Sequence, residues 1–374
     1  MPYLNDMINA QNANRDRVST RDATGKDPAG GVGVESSAAR PRAGIFDSAG
    51  FAGRLGQRIL GQDHAIRAAT RAVSLAAAGA ADPDRPLANI LLTGPTGVGK
   101  TELVRQIAAE LRSGPDDLCR IDMNALAQEQ YAASFSGAPP GYAGSKEAFS
   151  LFQKGKIEGD PYTPGIVLFD EVEKAHPTVI RSLLQILDNG TLRLANGQDT
   201  ISFRNCYVFM TSNLGSTAVA RRRQSKRWAV ADYLSSRWPG AKPVWIGQTD
   251  AEIFASSVRE FFDVELLNRI DETVVFLEID ELTAHEITRL ELRILQSRFQ
   301  RKSVELTFTA EVSSYLVQEG FNPVFGARSL RRVIRTQVAG VVAECVLEAR
   351  TRSELPLCVR VEASGQRISA AVQR

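Results

Sequence analysis

The stretch PLANILLTGPTGVGKTEL, Pro86–Leu103, decides the fold of this chain of 374 residues. Its first part, Pro86–Thr93, is a short continuous apolar run, which is typical of a buried strand. The second part, Gly94–Thr101, has the spacing G-x-x-x-x-G-K-T and leads directly into the helical pattern TELVRQIAAEL. A strand, a glycine-rich loop and a helix in this order bind phosphate, because the loop amides and the helix N-terminus both favour anions. The sequence therefore predicts a nucleotide site on an α/β fold.

Further apolar runs of the same kind follow, with helical stretches between them. They predict four more strands of a mainly parallel five-stranded sheet, at Leu118–Asp122, Gly165–Phe169, Cys206–Thr211 and Thr273–Leu277. After Asp280, apolar residues recur at helical spacing instead. Two predicted helix faces carry Ile287, Leu290, Ile294 and Phe299, and then Leu330, Ile334, Val338, Val341 and Cys345. The segments LPLCVRVEA and QRISAAV alternate like a strand pair, so we predict a small sheet at the end.

The chain is therefore divided into three parts. Residues 1–45 contain few large apolar side chains and cannot bury enough surface to offset the entropy of ordering, so they are predicted to be a disordered arm. Residues 46–279 are predicted to form the P-loop domain. Residues 280–374 are predicted to form a smaller, mostly helical domain with a small sheet.

Composition excludes several classes of protein. The formal net charge of +2 is too small to indicate binding to nucleic acid or to a membrane surface. No apolar run approaches the roughly 18 residues of a spanning helix, and the first residues lack the apolar core of a secretory signal. Four cysteines without CxxC spacing indicate neither zinc nor a disulfide framework. The expected location is the cytoplasm, without membrane contact.

The P-loop motif assigns the phosphate contacts. Lys100 is predicted to reach the β- and γ-phosphates of ATP, and the Thr101 hydroxyl is predicted to bind Mg²⁺. The backbone that wraps the phosphates belongs to Gly94, Pro95, Thr96, Gly97, Val98 and Gly99. ATP and Mg²⁺ are thus the predicted cofactors.

Two further strand ends supply the predicted catalytic groups. The strand GIVLF ends in adjacent carboxylates, Asp170 and Glu171. Asp170 suits the Mg²⁺ shell, whereas Glu171, displaced by one residue, can activate the water that attacks the γ-phosphate. Asn213 follows the next strand, where its neutral amide can orient that water. The pattern therefore predicts hydrolysis of ATP.

Several strings, in order along the chain, resemble Clp-type AAA+ unfoldases, specifically the C-terminal ATPase domain of ClpA, ClpB and ClpC. The resemblance covers about residues 50–370. The strings include RILGQDHAI from Arg58, GAPPGYAG from Gly137, LFDEVEKAHP from Leu168, LLNRIDETVVF from Leu266 and GFNPVFGARSLRRVI from Gly320.

The resemblance implies roles that spacing does not reveal. Arg269 matches the arginine finger that reaches the ATP of a neighbouring subunit, which implies a homo-oligomer, expected to be a hexameric ring. Arg328 matches the second sensor, and Asn213 matches the first. Ile59 and Leu60 match the residues that cover the adenine.

The glycine–tyrosine loop of the family lines the central pore and grips an extended polypeptide. Its counterparts in this sequence are Gly141, Tyr142, Ala143 and Gly144. The resemblance therefore implies an unfoldase or remodelling ATPase that acts on unfolded or aggregated polypeptide. Substrate choice is then expected to come from the arm, an adaptor protein or the pore.

The segment Thr217–Gln248 leaves two alternatives open. It is longer than expected for the family and holds all three tryptophans among basic residues, a pattern that can stack on bases or dock a protein. A nucleic-acid-associated motor or loader is one alternative, although the glycine–tyrosine loop has no evident use on a duplex. The regulatory ring of a ClpP-like protease is the other, although the nearest match to the hydrophobic–Gly–hydrophobic docking tripeptide of such rings is Ile246–Gly247–Gln248, with a polar last residue.

Overall fold

The computed structural model describes residues 46–128, 135, 151–193, 200–224, 249–322, 325–350, 356–365 and 367–373. The predicted arm, the predicted pore loop Gly141–Gly144 and the three tryptophans lie outside the described residues. Within the described ranges, no helix is long and apolar enough to cross a membrane.

A five-stranded parallel sheet forms the centre of the larger part, as the sequence predicts. In chain order its strands are β1 (Ala88–Thr93), β2 (Cys119–Asp122), β3 (Gly165–Asp170), β6 (Cys206–Ser212) and β7 (Glu272–Val275), and a separate two-stranded hairpin is formed by β4 (Thr191–Arg193) and β5 (Thr200–Ser202). In space the order is β2-β3-β6-β1-β7. Since all five strands are parallel, their carboxyl ends meet at one edge, and the P-loop leaves that edge from β1.

Helices cover both faces of this sheet. They are α1 (Ser48–Gly56), α2 (Asp63–Ala77), α3 (Lys100–Leu111), α4 (Lys154–Glu158), α5 (Pro177–Asn189), α6 (Ser216–Gln224), α7 (Asp250–Phe261) and α8 (Val264–Leu267). Successive side chains of a strand point to opposite faces, so Ile90 and Leu92 of β1 enter one apolar cluster while Leu91 enters the other. Burial on both faces explains why the strands are continuous apolar runs rather than alternating ones.

The smaller C-terminal part is mostly helical and has a sheet of its own, as predicted. Its elements are α9 (Glu281–Gln300), β8 (Val304–Phe308), α10 (Ala310–Gly320), α11 (Ala327–Val333), a π-helix (Ile334–Ala339), α12 (Gly340–Arg350), β9 (Leu357–Ser364) and β10 (Arg367–Gln373). Strands β9 and β10 form the predicted strand pair, which is antiparallel, and β8, which was not predicted, adds a parallel third strand.

The buried face of the last helical region differs from the predicted one at its end. Leu330, Ile334 and Val338 are buried as expected, but the next core residues are Val342 and Val346 rather than Val341 and Cys345. The cause is the π-helix, which inserts one extra residue into the helical repeat and rotates everything after it by one position. A fixed spacing of three or four residues cannot anticipate that shift.

Candidate nucleotide-binding and hydrolysis site

A cleft of about 510 Å³ lies at the carboxyl edge of the central sheet, between that edge and the C-terminal part. The residues that line it come from the P-loop, the ends of three strands and two helices of the smaller part. Most of the residues that the sequence predicts for the nucleotide site border it: Ile59, Leu60, Thr96, Gly97, Val98, Gly99, Lys100, Thr101, Asp170, Glu171, Asn213 and Arg328.

The P-loop has the backbone of a phosphate cradle. Gly97 has φ +75° and Gly99 has φ +106°, so both occupy the left-handed region that glycine enters without cost. Helix α3 then begins at Lys100. A Cβ on Gly97 would lie 2.1 Å from the carbonyl oxygen of Phe325, and the Gly97 carbonyl accepts a hydrogen bond of 2.9 Å from the Ala327 amide. The loop therefore has a backbone conformation that suits anion binding, and it packs directly against the smaller part.

Lys100 is buried, and its ammonium group donates three hydrogen bonds. The acceptors are the carbonyls of Gly94 at 2.7 Å and Pro95 at 2.6 Å, and Oδ1 of Asn213 at 2.9 Å. Burial lowers the pKa of Lys100 to about 8, and the carboxylates of Glu173, Asp170 and Glu171 oppose that decrease. The ammonium is thus held in place but incompletely stabilised in its charged form.

Asp170 ends β3 with both carboxylate oxygens in contact with donors. Oδ2 accepts from Arg120, at 2.5 Å from Nη2 and 3.0 Å from Nε, and Oδ1 accepts from the Thr211 hydroxyl. The sequence analysis missed Arg120 and Thr211. Arg120 could have been found from the alternation of β2, because it occupies an exposed position on the strand that lies beside β3.

Glu171 and Asn213 are in direct contact across two neighbouring strands. The Asn213 amide Nδ2 donates to Oε1 of Glu171 at 3.2 Å, while its Oδ1 accepts from Lys100. Glu171 has φ +59°, which is rare for a residue with a side chain, and its amide is anchored by Thr211 Oγ1 at 2.9 Å. Backbone strain of this kind clusters at functional sites. Asn213 thus connects the predicted phosphate-binding lysine to the predicted base.

An apolar wall closes the other end of the cleft. Ile59 is buried and Leu60 is half-buried, and both border the cleft as expected for a surface that covers a flat base. Ile279, Ile287 and Leu290 complete the wall from the segment before α9 and from α9 itself. The sequence predicts Ile287 and Leu290 on one apolar helix face: Ile287 is buried in the core and also borders the cleft, whereas Leu290 is half-buried at the cleft.

The two predicted arginines lie in different places. Arg328, at the start of α11, borders the cleft and faces the P-loop. Arg269 does not line this cleft; its Nε forms an ion pair of 2.8 Å with Asp188 at an angle too bent for a hydrogen bond. Arg269 thus belongs to another surface of its own subunit.

A charged network links the P-loop helix to the smaller part. Arg331 lies one turn after Arg328 and contacts Glu291 of α9 at 2.6 Å and Glu102 of α3 at 3.4 Å. Arg105 also contacts Glu102, at 3.4 Å. The sequence analysis missed this network, since its members are up to 229 residues apart in sequence.

The cleft fits a magnesium nucleotide. A loop with three glycines at positive φ, a buried ammonium and a helix N-terminus favour phosphates, and the apolar wall suits a base. Thr101 and Asp170 supply the hard oxygen ligands that Mg²⁺ prefers.

Comparison with protein families agrees with this geometry. Residues 85–273 match the family model described as the AAA domain (Cdc48 subfamily), and residues 279–356 match the C-terminal, D2-small domain of ClpB protein. The chain belongs to the Clp-type AAA+ ATPases. It therefore binds nucleotide and hydrolyses ATP.

Relatives of this AAA+ chain fall into two groups by length. An ATP-dependent protease ATP-binding subunit-like protein from Rhodococcus erythropolis is 53% identical over 98% of both chains. A protein of the same description, AmiB from Pseudomonas aeruginosa, is 38% identical over 93% of both. The mitochondrial chaperone ClpB4 of Arabidopsis thaliana is 35% identical over 82% of this chain, which spans only 30% of that protein.

A solved structure has the same fold. It is a closed-state cryo-EM reconstruction of Hsp104 with ATPγS and FITC casein, with a TM-score of 0.70 and 29% identity. The match covers 89% of this chain and 54% of the Hsp104 chain. The chain thus corresponds to part of a longer machine in one group of relatives and to nearly a whole protein in the other.

Proposed function

We propose that this chain is a polypeptide-remodelling ATPase that works as a homo-oligomeric ring, with the hexamer as the expected form. In this proposal residues 46–279 and 280–374 are the two domains that close over ATP. Unfolded or aggregated polypeptide is the substrate, and an adaptor or the N-terminal arm selects it. The cytoplasmic location stays a prediction from the sequence.

In the proposed mechanism each cleft residue has one task. Lys100 and Arg328 would bind phosphate oxygens, and Thr101 and Asp170 would hold Mg²⁺, which would supply positive charge to the phosphates. Glu171 takes the proton of the attacking water, and Asn213 orients Glu171 and that water together. The bond of 3.2 Å between Asn213 and Glu171 supports this pairing.

The proposed ring rests on the position of Arg269. Transfer of a γ-phosphoryl group needs a cation that stabilises the transition state, and an arginine supplied by a neighbour is worth about 10³–10⁵ in rate. Arg269 pairs with Asp188 away from the cleft of its own subunit. We therefore assign Arg269 to the cleft of the next subunit.

The observation that carries the proposal is the set of Lys100, Asp170, Glu171 and Asn213 in one cleft of a chain that resembles Hsp104 in its casein-bound reconstruction. The pore loop with Tyr142 then supplies the grip. A flat aromatic ring can press against any extended backbone without demanding a sequence.

The test measures ATP turnover with and without unfolded casein. Tyr142→Ala should retain basal turnover and lose the stimulation by casein, because the grip fails while the cleft is intact. Tyr162→Ala is the matched control, since Tyr162 is an 83% exposed tyrosine outside the cleft and the predicted pore loop. Stimulation that survives in Tyr142→Ala would contradict polypeptide gripping. In cells, Glu171→Gln should trap bound substrates for identification.

The regulatory ring of a protease is the second candidate. It is favoured by the descriptions of the two relatives of similar length, both ATP-dependent protease ATP-binding subunit-like proteins. The polar end of Ile246–Gly247–Gln248 argues against docking of a ClpP-like peptidase. ATP-dependent degradation of casein by the two proteins together, but by neither alone, would establish this candidate.

Nucleic-acid binding is disfavoured. The net charge is only +2, and in the described part of the 217–248 segment Arg222 forms an ion pair with Asp250 at 3.4 Å. Charge reversal at Arg221–Arg223 should therefore leave the protein's behaviour toward DNA unchanged. Salt-dependent DNA binding that this change abolishes would reinstate the motor or loader.

A further inference from the structure

Arg120 is a charged residue of the cleft to which the sequence assigns no task. It lies on β2, whose residues alternate between buried and exposed. The strand register pairs Arg120 with Leu168 and Asp122 with Asp170. Arg120 is thus two residues from the end of β2, on the side of the strand that faces the cleft.

The contact between Arg120 and Asp170 involves two donors and a single oxygen. Nη2 lies 2.5 Å and Nε 3.0 Å from Oδ2, while the Thr211 hydroxyl donates to Oδ1. Hydrogen bonds between two charged groups are among the strongest in proteins, and the arginine fork provides two of them at once. Both oxygens of the predicted Mg²⁺ ligand therefore already have partners from the protein.

The Asp170 and Arg120 side chains differ in how freely they can move. The Asp170 side chain is 11% exposed and the Arg120 side chain is 58% exposed. Asp170 is held at the end of a central strand, whereas the guanidinium extends from the edge strand of the sheet into the cleft. When the pair separates, the arginine moves. Asp122, two residues on along the same strand, also borders the cleft and offers a second carboxylate nearby.

We propose that Arg120 is a positioning residue that competes with a divalent cation for Asp170. It neutralises Asp170 until a nucleotide brings Mg²⁺, and it must release the carboxylate before Asp170 can bind the cation. The inference rests on the proposed function, since it requires Asp170 to be a Mg²⁺ ligand. It adds that the chain regulates access to that ligand with its own arginine.

Two opposite effects on nucleotide affinity follow. Without Arg120, the carboxylates of Asp170 and Glu171 have less positive charge beside them and repel the phosphates of a metal-free nucleotide more strongly. With Mg²⁺ present, the same loss removes a competitor for Asp170 and leaves that oxygen to the cation. Arg120 should therefore reduce the difference between the affinity for metal-free nucleotide and the affinity for nucleotide with Mg²⁺.

The test is the Kd of ADP measured by calorimetry in excess EDTA and in excess Mg²⁺, which requires no turnover. The ratio compared is the Kd in EDTA divided by the Kd in Mg²⁺. In Arg120→Gln this ratio should be about tenfold to hundredfold higher than in the unaltered protein, which is the range of one charge-assisted hydrogen bond. Arg105→Gln is the matched control: Arg105 also borders the cleft, but it contacts Glu102 and Asp116 instead of Asp170. It should leave the ratio unchanged.

Two more variants keep every outcome interpretable. Asp170→Asn should remove most of the effect of Mg²⁺ on the Kd, and Arg120→Gln added to it should have no further effect on the ratio. If Asp170→Asn leaves the effect of Mg²⁺ intact, the proposed metal ligand is wrong. If Asp170→Asn behaves as expected while Arg120→Gln keeps the original ratio, only the competition is overturned. If Arg120→Gln unfolds, Arg120→Lys is the deciding variant. Its ratio is expected to lie above that of the unaltered protein and below the increase expected for Arg120→Gln.

Discussion

The charge of Lys100 provides a direct test of the cleft. Burial lowers its pKa to about 8, compared with an ordinary value of 10.5. At pH 8 about half of the Lys100 side chains are neutral, and at pH 9 about nine-tenths are. The phosphates of a nucleotide favour the ammonium form strongly and raise this pKa again. Binding should therefore take up a proton, by about 0.1 per site at pH 7, about 0.5 at pH 8 and about 0.9 at pH 9.

The sign of the pH dependence follows from the same linkage. Below about pH 7 Lys100 is almost entirely charged with or without nucleotide, so its contribution to affinity is nearly constant. Above pH 8 part of the binding free energy is used to protonate Lys100, and the affinity for ADP should fall by up to about tenfold per pH unit. Nucleotide phosphates are fully ionised in this range, so they contribute no opposing change.

The assay is calorimetric titration with ADP in two buffers of different ionisation enthalpy. The difference between the measured enthalpies gives the number of protons taken up. Lys100→Arg is the control, because a guanidinium stays protonated throughout and should show no uptake wherever it still binds. If the unaltered protein binds ADP at pH 9 with no net uptake of protons, then Lys100 is not the buried phosphate-binding group described above.

Three further changes test other parts of the structure. Gly97→Ala should weaken ADP binding at least tenfold, because φ is +75° and the new Cβ would lie 2.1 Å from a backbone oxygen of the smaller part. If calorimetry gives the same Kd for this variant and for the unaltered protein, the two parts are not packed as described. Arg269→Ala should lower ATPase activity by about 10³-fold or more, and activity should recover in mixed rings that contain an intact neighbour. Asp188→Ala breaks the same partly exposed ion pair and should retain activity, so equal losses in both variants would mean that the ion pair itself is required. Leu316→Ala should destabilise the smaller part by about 2–5 kcal/mol in chemical unfolding because Leu316 is fully buried, and Leu347→Ala, 65% exposed, should cost less than about 0.5 kcal/mol; similar midpoints would contradict the core assignment.

Much of the architecture follows from local sequence. The five buried runs became the five strands within two residues at each end, because a strand covered on both faces leaves a continuous apolar signal. The P-loop was equally legible, since its function requires glycine, lysine and threonine at fixed spacing. Asp170, Glu171 and Asn213 could be placed at one edge because parallel strands end together. These features depend on residues that are neighbours along the chain.

What remained hidden depends on residues far apart in sequence. The alternation of β2 places Arg120 on the exposed side of the strand but does not identify Asp170 as its partner, and nothing near Leu290 indicates that it borders a cleft. The π-helix at Ile334–Ala339 changes which residues are buried through the packing of a whole helical region rather than through a motif. The sequence by itself thus determined the strands, the P-loop and the positions of Asp170, Glu171 and Asn213 at the strand ends, because local spacing encodes each of them. Only the tertiary structure decided which charges meet in the cleft, since a salt bridge or a cleft wall exists only after distant segments pack together.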